Sequence, residues 1–335
     1  SKTSVTIHDV AHAAGVSVST VSRVLNDKDD VAIETYDRVQ QVISELGYTS
    51  SLAAKSMRSR KTNVIGLIMP DVGDSFTLEV MKGVNQAITH FGYDLITYTG
   101  GDATASSWPA REQKYVSLLN GSITDGIIIV APRAFTFPTT YPIVAVDHHP
   151  GDTNLPSVLS TNREGALAVM EYLVQLGHRR IGFVGGRNDL QSGIRRQQGY
   201  LDGLQQAGLA IDPDLIREGN FTMDVGYRCA QQLLNLAERP TAIFAANDQS
   251  AFGVIKAIHE IGLKIPNDIS VVGFDNIPET AYYLPGGLTT VDQSVRQMGQ
   301  VATEMLVALI KGETLDKTIR KVPTRLVTRV SCRAI

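Results

Sequence analysis

Ser17, Thr20, Ser22, Arg23 and Asn26 crowd ten residues near the start of a 335-residue chain. Hydroxyls and a side-chain amide hydrogen-bond phosphate oxygens, and arginine can also grip the O6/N7 edge of guanine. The small Val18 and Ser19 beside them would let a backbone approach a groove floor. The chemistry is that of contact with double-stranded DNA, although a serine-rich solvated face on a small helical bundle has the same composition. Further along, polar residues stand at the ends of apolar runs: Asp74, Ser75 and Phe76 after V-I-G-L-I-M, and Asp147 after I-V-A-V. Carboxylates there can accept from ligand hydroxyls.

Other chemistries are poorly supplied. The run Asp147-His148-His149 is a weak chelate because adjacent loop histidines diverge, so no metal is expected. Gly185-Gly186-Arg187 matches neither the G-x-G-x-x-G nor the G-K-[ST] phosphate loop and reads as a turn. Cys229 and Cys332 lie far apart, so a zinc site or disulfide framework is not expected. No nucleophile–base–oxyanion set emerges, and a sugar hydrolase would need two carboxylates opposed across the bond, a part only Asp147 and Asp275 could take. Neither an enzyme nor a cofactor is expected.

The elements that must carry these residues are legible. Ile7, Val10, Ala11 and Ala14 make one apolar helical stripe, with Thr6 as its cap, Asp9 three residues on and Gly15 as the turn. Ser17 caps a second helix whose inner face is Val21, Val24 and Leu25. A third stripe, Val39, Val42, Ile43 and Leu46, stops at Gly47. Three short helices with a tight turn between the first two form a helix-turn-helix unit. Residues 49–61 are polar and basic, and a short helix containing Ala53, Ala54 and Met57 competes there with a plain linker. Lys55, Arg58, Arg60 and Lys61 make a positive stripe suited to phosphate. From Asn63 apolar strands alternate with amphipathic helices, which predicts an α/β architecture with parallel sheets covered on both faces. Two such cycles suggest two lobes with a cleft at the strand ends.

Composition agrees with that division. The chain is 43% hydrophobic and 19% charged, with net charge −3. Residues 1–61 hold eight Lys/Arg and seven Asp/Glu, so the acidity belongs to the remainder. No apolar run reaches the ~18 residues of a membrane span, and Ser1-Lys2-Thr3-Ser4 lacks the apolar core of a signal peptide. A cytoplasmic protein without membrane contact is expected.

The stretch V-T-I-H-D-V-A-H-A-A-G-V-S-V-S-T-V-S-R-V-L-N (Val5–Asn26), followed by L-G-Y at Leu46–Tyr48, resembles the N-terminal signature of the LacI/GalR repressor family. The resemblance continues through I-G-L-I-M-P (Ile65–Pro70), L-G-H-R-R-I-G-F-V-G-G (Leu176–Gly186), A-N-D (Ala246–Asp248), V-V-G-F-D (Val271–Asp275) and L-T-T-V-D-Q (Leu288–Gln293). It implies a DNA-binding domain at 1–49, a hinge at 50–61 and a periplasmic-binding-protein-like sensor at 62–335 crossed three times between its lobes. The first lobe would be about 62–161 with 293–323, the second about 162–292 with 324–335. The DNA-facing set becomes Thr6, Ser17, Val18, Ser19, Thr20, Ser22, Arg23 and Asn26, with Ala54, Lys55 and Met57 in the hinge. Met57 stands where the family usually wedges a leucine into the minor groove, and Ser50 where it usually has proline.

In the sensor the resemblance marks Arg196, Asn247 and Asp275 as effector contacts and Phe221 as an aromatic against the ligand face, beside Asp74, Ser75, Phe76 and Asp147. Taken singly, Asn247 and Asp275 also suit loop or helix caps, and Phe221 a core position. Thr161-Asn162 departs from the family's D-N, which weakens any choice of particular ligand. The function implied is a transcriptional repressor binding a pseudo-palindromic operator as a homodimer, Tyr282-Tyr283-Leu284 matching part of the subunit contact. Its effector would be a carbohydrate, with a nucleoside or purine second. An exported solute-binding protein would explain the cleft but not the helix-turn-helix.

Overall fold

The computed structural model describes residues 5–25, 28, 30–48, 61–100, 106–120, 123–137, 140–148 and 155–335, in two units that divide after Thr62. The first contains α1 (Ile7–Ala14), α2 (Val18–Leu25) and α3 (Ile33–Leu46). Thr6 and Asp9 form a reciprocal capping box, and Gly15 ends α1 in the left-handed region at φ 64°. Ile7, Val10, Ala14, Val21, Val24 and Val39 are buried together. Leu46, read from the sequence as core, is exposed. Helix α3 has 14 residues against eight in each of α1 and α2, and at its end only Ile43, with Tyr48 just beyond it, still packs against that core.

The second unit opens with β1 (Val64–Met69), α4 (Ser75–Phe91), β2 (Asp94–Thr99), α5 (Trp108–Leu119), β3 (Gly126–Val130), β4 (Ile143–Val146) and β5 (Ser157–Ser160). A second cycle follows with α6 (Asn162–Gln175), β6 (Ile181–Val184), α7 (Gln191–Gln206), β7 (Ile216–Arg217), α8 (Met223–Leu234), β8 (Ala242–Ala245), α9 (Asp248–Glu260) and β9 (Ser270–Val272). The chain finishes with β10 (Thr290–Asp292), α10 (Val295–Ile310), β11 (Ile319–Val322) and β12 (Arg325–Val327).

Two parallel sheets result, ordered β2-β1-β3-β4-β5-β11 and β7-β6-β8-β9, while β10 and β12 pair antiparallel. Strand β1 is apolar throughout, yet its period of two splits it between layers. Ile65, Leu67 and Met69 join the core under α4 and α10, and Ile68 joins the one under α5. Helix α10 reaches the first lobe because glycines let it approach α4 closely: a Cβ on Gly83 would lie 2.0 Å from the Arg296 carbonyl oxygen. The chain therefore passes between lobes three times, near residues 161, 293 and 323. The crossings are tied side by side. Ser160 Oγ donates to Gln293 Oε1 at 2.8 Å, and Thr324 N–H donates to Thr161 Oγ1 at 2.8 Å. No helix of the described residues is long and apolar enough to cross a membrane.

Candidate functional site

In the first unit the residues expected to face DNA divide between two tasks. Ser17 Oγ accepts the Thr20 N–H at 3.1 Å and lies within hydrogen-bond distance of the Ser19 and Thr20 hydroxyls, so this group starts α2. Thr6 likewise serves α1. Ser19 and Arg23 are exposed, Ser22 is half-buried, and Val18 packs partly against the core instead of pointing wholly outward. Arg23 Nη1 lies 3.1 Å from an Asp30 carboxylate oxygen, both side chains remaining 59% exposed. Asn26, Ala54, Lys55 and Met57 lie outside the described residues.

In the second unit a cavity of about 250 Å³ opens where the carboxyl ends of both sheets converge. Each sheet reverses its strand order beside β1 or β6, which leaves a gap between the loops above it. The first lobe contributes Asp74 and Phe76 after β1, Ala131 after β3 and Asp147 after β4. The second contributes Arg187 after β6, Arg196 on α7, Phe221 before α8, Asn247 after β8 and Asp275 after β9. Seven of the eight sensor residues anticipated from the sequence line this cavity. Ser75 does not: its hydroxyl donates to Glu279 Oε1 of the second lobe at 2.8 Å. Being one residue past the Asp74 cap, it leaves the helix about 100° round from it.

Arg196 is the hub. Its side chain is 3% exposed, with Nε donating to Asn162 Oδ1 at 2.9 Å and Nη1 to Asp275 Oδ1 at 3.0 Å and the Ala246 carbonyl at 2.5 Å. The guanidinium lies 3.8 Å from the Phe274 ring centroid and 5.5 Å from that of Phe221. Asp275 also accepts from Gln293 Nε2 at 2.6 Å, which joins the cavity floor to the crossings. Burial pushes its pKa up to about 7 against the opposing pull of Arg196, with Asp74 and Asp147 pushing the same way as burial. Burial also raises Asp147, although it accepts the Ser192 hydroxyl at 2.6 Å and N–H at 3.2 Å from across the cleft. Asp74 is raised by burial as well, while its Oδ2 caps α4. Asn247 caps α9 through Oδ1 and donates to the Phe221 carbonyl through Nδ2, so capping and lining coexist in one side chain.

The backbone is strained where it meets the cavity. Ala131, Asp147, Phe221 and Asp275 have φ of 47°, 55°, 73° and 118°, conformations that cost non-glycine residues about 1–3 kcal/mol each and persist where surroundings enforce them. Arg187, Ser192, Asn220 and Thr222 also line the site and were missed from the sequence. The strand-end rule that found Asp147 would have found Arg187. Among the described residues no cluster of histidine, cysteine or carboxylate side chains could hold a metal ion, and His149 lies outside them.

A helix-turn-helix unit preceding a two-lobed sensor with a polar, aromatic-walled cleft defines a ligand-controlled DNA-binding regulator. Residues 6–51 match the model for bacterial regulatory proteins of the lacI family, and residues 170–332 the periplasmic binding protein-like domain. The chain is 32% identical to the HTH-type transcriptional repressor PurR of Vibrio atlanticus (strain LGP32), covering 98% of this chain and 99% of that one. It superposes with a TM-score of 0.84 on the Lac repressor dimer bound to operator and the anti-inducer ONPF, at 28% identity over 99% of this chain and 100% of the other. The transcriptional regulator CelR–cellobiose complex gives 0.71 at 28% identity, covering 98% and 99%. The chain belongs to the lacI family of bacterial regulatory proteins. It is a DNA-binding transcriptional repressor with an effector-binding sensor domain.

Proposed function

We propose that the cleft binds an uncharged sugar of one ring, which is released unchanged and sets the affinity of a homodimer for a pseudo-palindromic operator in the cytoplasm. The observation that carries this reading is the charge pattern of the cavity. Asp71, Asp74, Asp147 and Asp275 line it with only two arginines. Arg196 is committed to Asp275 and Arg187 to Asp189. A phosphate or carboxylate would meet four acidic side chains against two arginines that each already face a carboxylate, whereas sugar hydroxyls can donate to the aspartates and accept from arginine. Phe76 and Phe221, one from each lobe, offer apolar faces to ring C–H groups. The volume of about 250 Å³ falls below the ~300–1,000 Å³ of pockets for drug-sized ligands, which favours a monosaccharide over larger ligands. A nucleoside or purine is the second reading, favoured by the same two rings and by Asn247 and Asp275 as partners for a base edge.

Thermal-shift measurements with D-glucose, D-galactose, D-ribose, adenosine, guanine and glucose 6-phosphate test the proposal. A neutral sugar present at ~100 times its Kd stabilises the sensor by ~2.7 kcal/mol. A shift with glucose 6-phosphate and not with glucose would overturn the charge argument. Shifts confined to adenosine or guanine would establish the second reading.

A further inference from the structure

Arg187 and Asp189 lie beyond the anticipated site, and their bonding is unlike that of any other pair around the cavity. The Arg187 guanidinium, 16% exposed, forks onto Asp189, with Nε donating to Oδ1 and Nη2 to Oδ2, both at 2.8 Å. Its third nitrogen, Nη1, makes no hydrogen bond among the described residues. The same carboxylate accepts a third bond, at 3.0 Å, from Nε of Arg133, which belongs to the loop after β3 in the opposite lobe. That loop is itself pinned. Glu112 on α5 is fully buried and accepts the N–H of Ala134 at 2.7 Å and of Arg133 at 3.0 Å.

We propose that Asp189 is the positioning residue of the effector site, holding Arg187 against the cavity wall and tying that placement to lobe closure through Arg133. The proposal rests on the cavity's being the effector site but on no particular effector. With both carboxylate oxygens engaged by the fork, Asp189 cannot rotate away from Arg133 without releasing Arg187. With the lobes apart, Asp189 loses its third donor. Nη1 is then the donor this device presents to a ligand acceptor in the closed state. Adjacent residues report closure directly. The Gln191 N–H donates to the His148 carbonyl at 3.2 Å and the Ser192 N–H to Asp147, both across the cleft, and Leu190 is buried in the core of the first lobe.

Hydrogen exchange at the Gln191 and Ser192 amides of the full-length, ligand-free protein tests this, because those amides exchange when the lobes part. Arg133→Gln lies in the other lobe and touches neither amide. It is expected to accelerate their exchange about two- to fivefold, the range a half-exposed ion pair sustains. Asp189→Asn and Arg187→Gln should do the same, the double variant Arg133→Gln/Asp189→Asn no more than either alone, and Arg133→Lys should restore part of the protection. Unchanged exchange in the α8 and β8 core verifies that each variant is folded. The proposal fails if Arg133→Gln acts only within its own loop, or if the effects of Arg133→Gln and Asp189→Asn add. It fails equally if Arg187→Gln leaves the amides as protected as in the wild type, since closure would then be independent of the cavity wall.

Discussion

Two buried side chains show how single residues set the sensor's behaviour. Arg196 answers the Asp275 carboxylate, so Arg196→Ala leaves that acid buried without its cation, a change costing ~3–5 kcal/mol. We expect this variant to lose the effector response while the separately folded first unit keeps its operator affinity. Effector titrations of an operator-binding assay check this, and an undiminished response would remove Arg196 from the site. Glu112 makes the opposite point. It has no cation in contact, and burial lifts its pKa from 4.5 to about 7 despite the two backbone N–H groups it accepts. A carboxyl raised by folding supports the native state fully below its unfolded pKa, and that support is lost as pH rises through the folded value. Stability should therefore fall from near pH 4.5 to about 7 on this account and stay level above. Glu112→Gln keeps an oxygen for the two N–H groups and removes the titration. Urea unfolding at pH 8 should find it more stable than wild type by on the order of 3 kcal/mol at most, with a flatter profile across that window.

Elements show what could and could not be seen in the sequence. Helix α1 was legible because a cap, a stripe and a terminal glycine agreed, α2 because a cap and a stripe did, and β1, β3 and β4 because their apolar runs are short, unlike the similar run Ala251–Ile255 that lies within the longer helix α9. Helix α5 was missed: its sequence, WPAREQKYVSLL, scatters Trp108, Val116 and Leu119 among charged residues, and Glu112, which looks like surface, is buried. Strand β11, IRKV, was missed because it is an edge, exposed over three of its four residues. The cleft was legible where an aspartate or asparagine ended a strand, as at Asp147 and Asn247. It was not at Ser192 or Thr222, whose place depends on how the lobes meet. The hinge segment calls for experiment. If Met57 wedges into the minor groove as the family's leucine does, Met57→Gly should weaken operator binding about 10-fold or more and reduce the DNA bend, as read by gel mobility of circularly permuted operator fragments. Unchanged affinity and bend would dismiss the wedge.

For the whole molecule, the pairing of subunits decides what DNA is read. One helix-turn-helix spans a half-site, so a dimer should prefer two half-sites in inverted repeat. Tyr282, 71% exposed, and Tyr283 give the second lobe an apolar surface in keeping with subunit contact. Sedimentation should find a dimer, and inverting one half-site should cost the operator at least 100-fold in affinity. A monomer in solution with equal affinity for single and paired half-sites would refute this assembly. Within that assembly the cleft can act on DNA only through differential binding to two arrangements, for which ~1–3 kcal/mol of coupling is ordinary.

The three tied crossings have a consequence for how the protein is made. The first lobe takes α10 and β11 from residues 295–322, so neither lobe is a continuous stretch of polypeptide. When the ribosome has delivered β5, the face of the first sheet that α10 will cover is still bare. At ~5–20 residues per second, on the order of ten seconds pass before that helix emerges. The second lobe is translated meanwhile, beside an uncovered surface rich in valine, isoleucine and leucine. Completion of both lobes waits for residues 295–327, so a nascent chain stalled between β5 and α10 is a client for chaperones, and a nonsense mutation before α10 leaves both lobes incomplete.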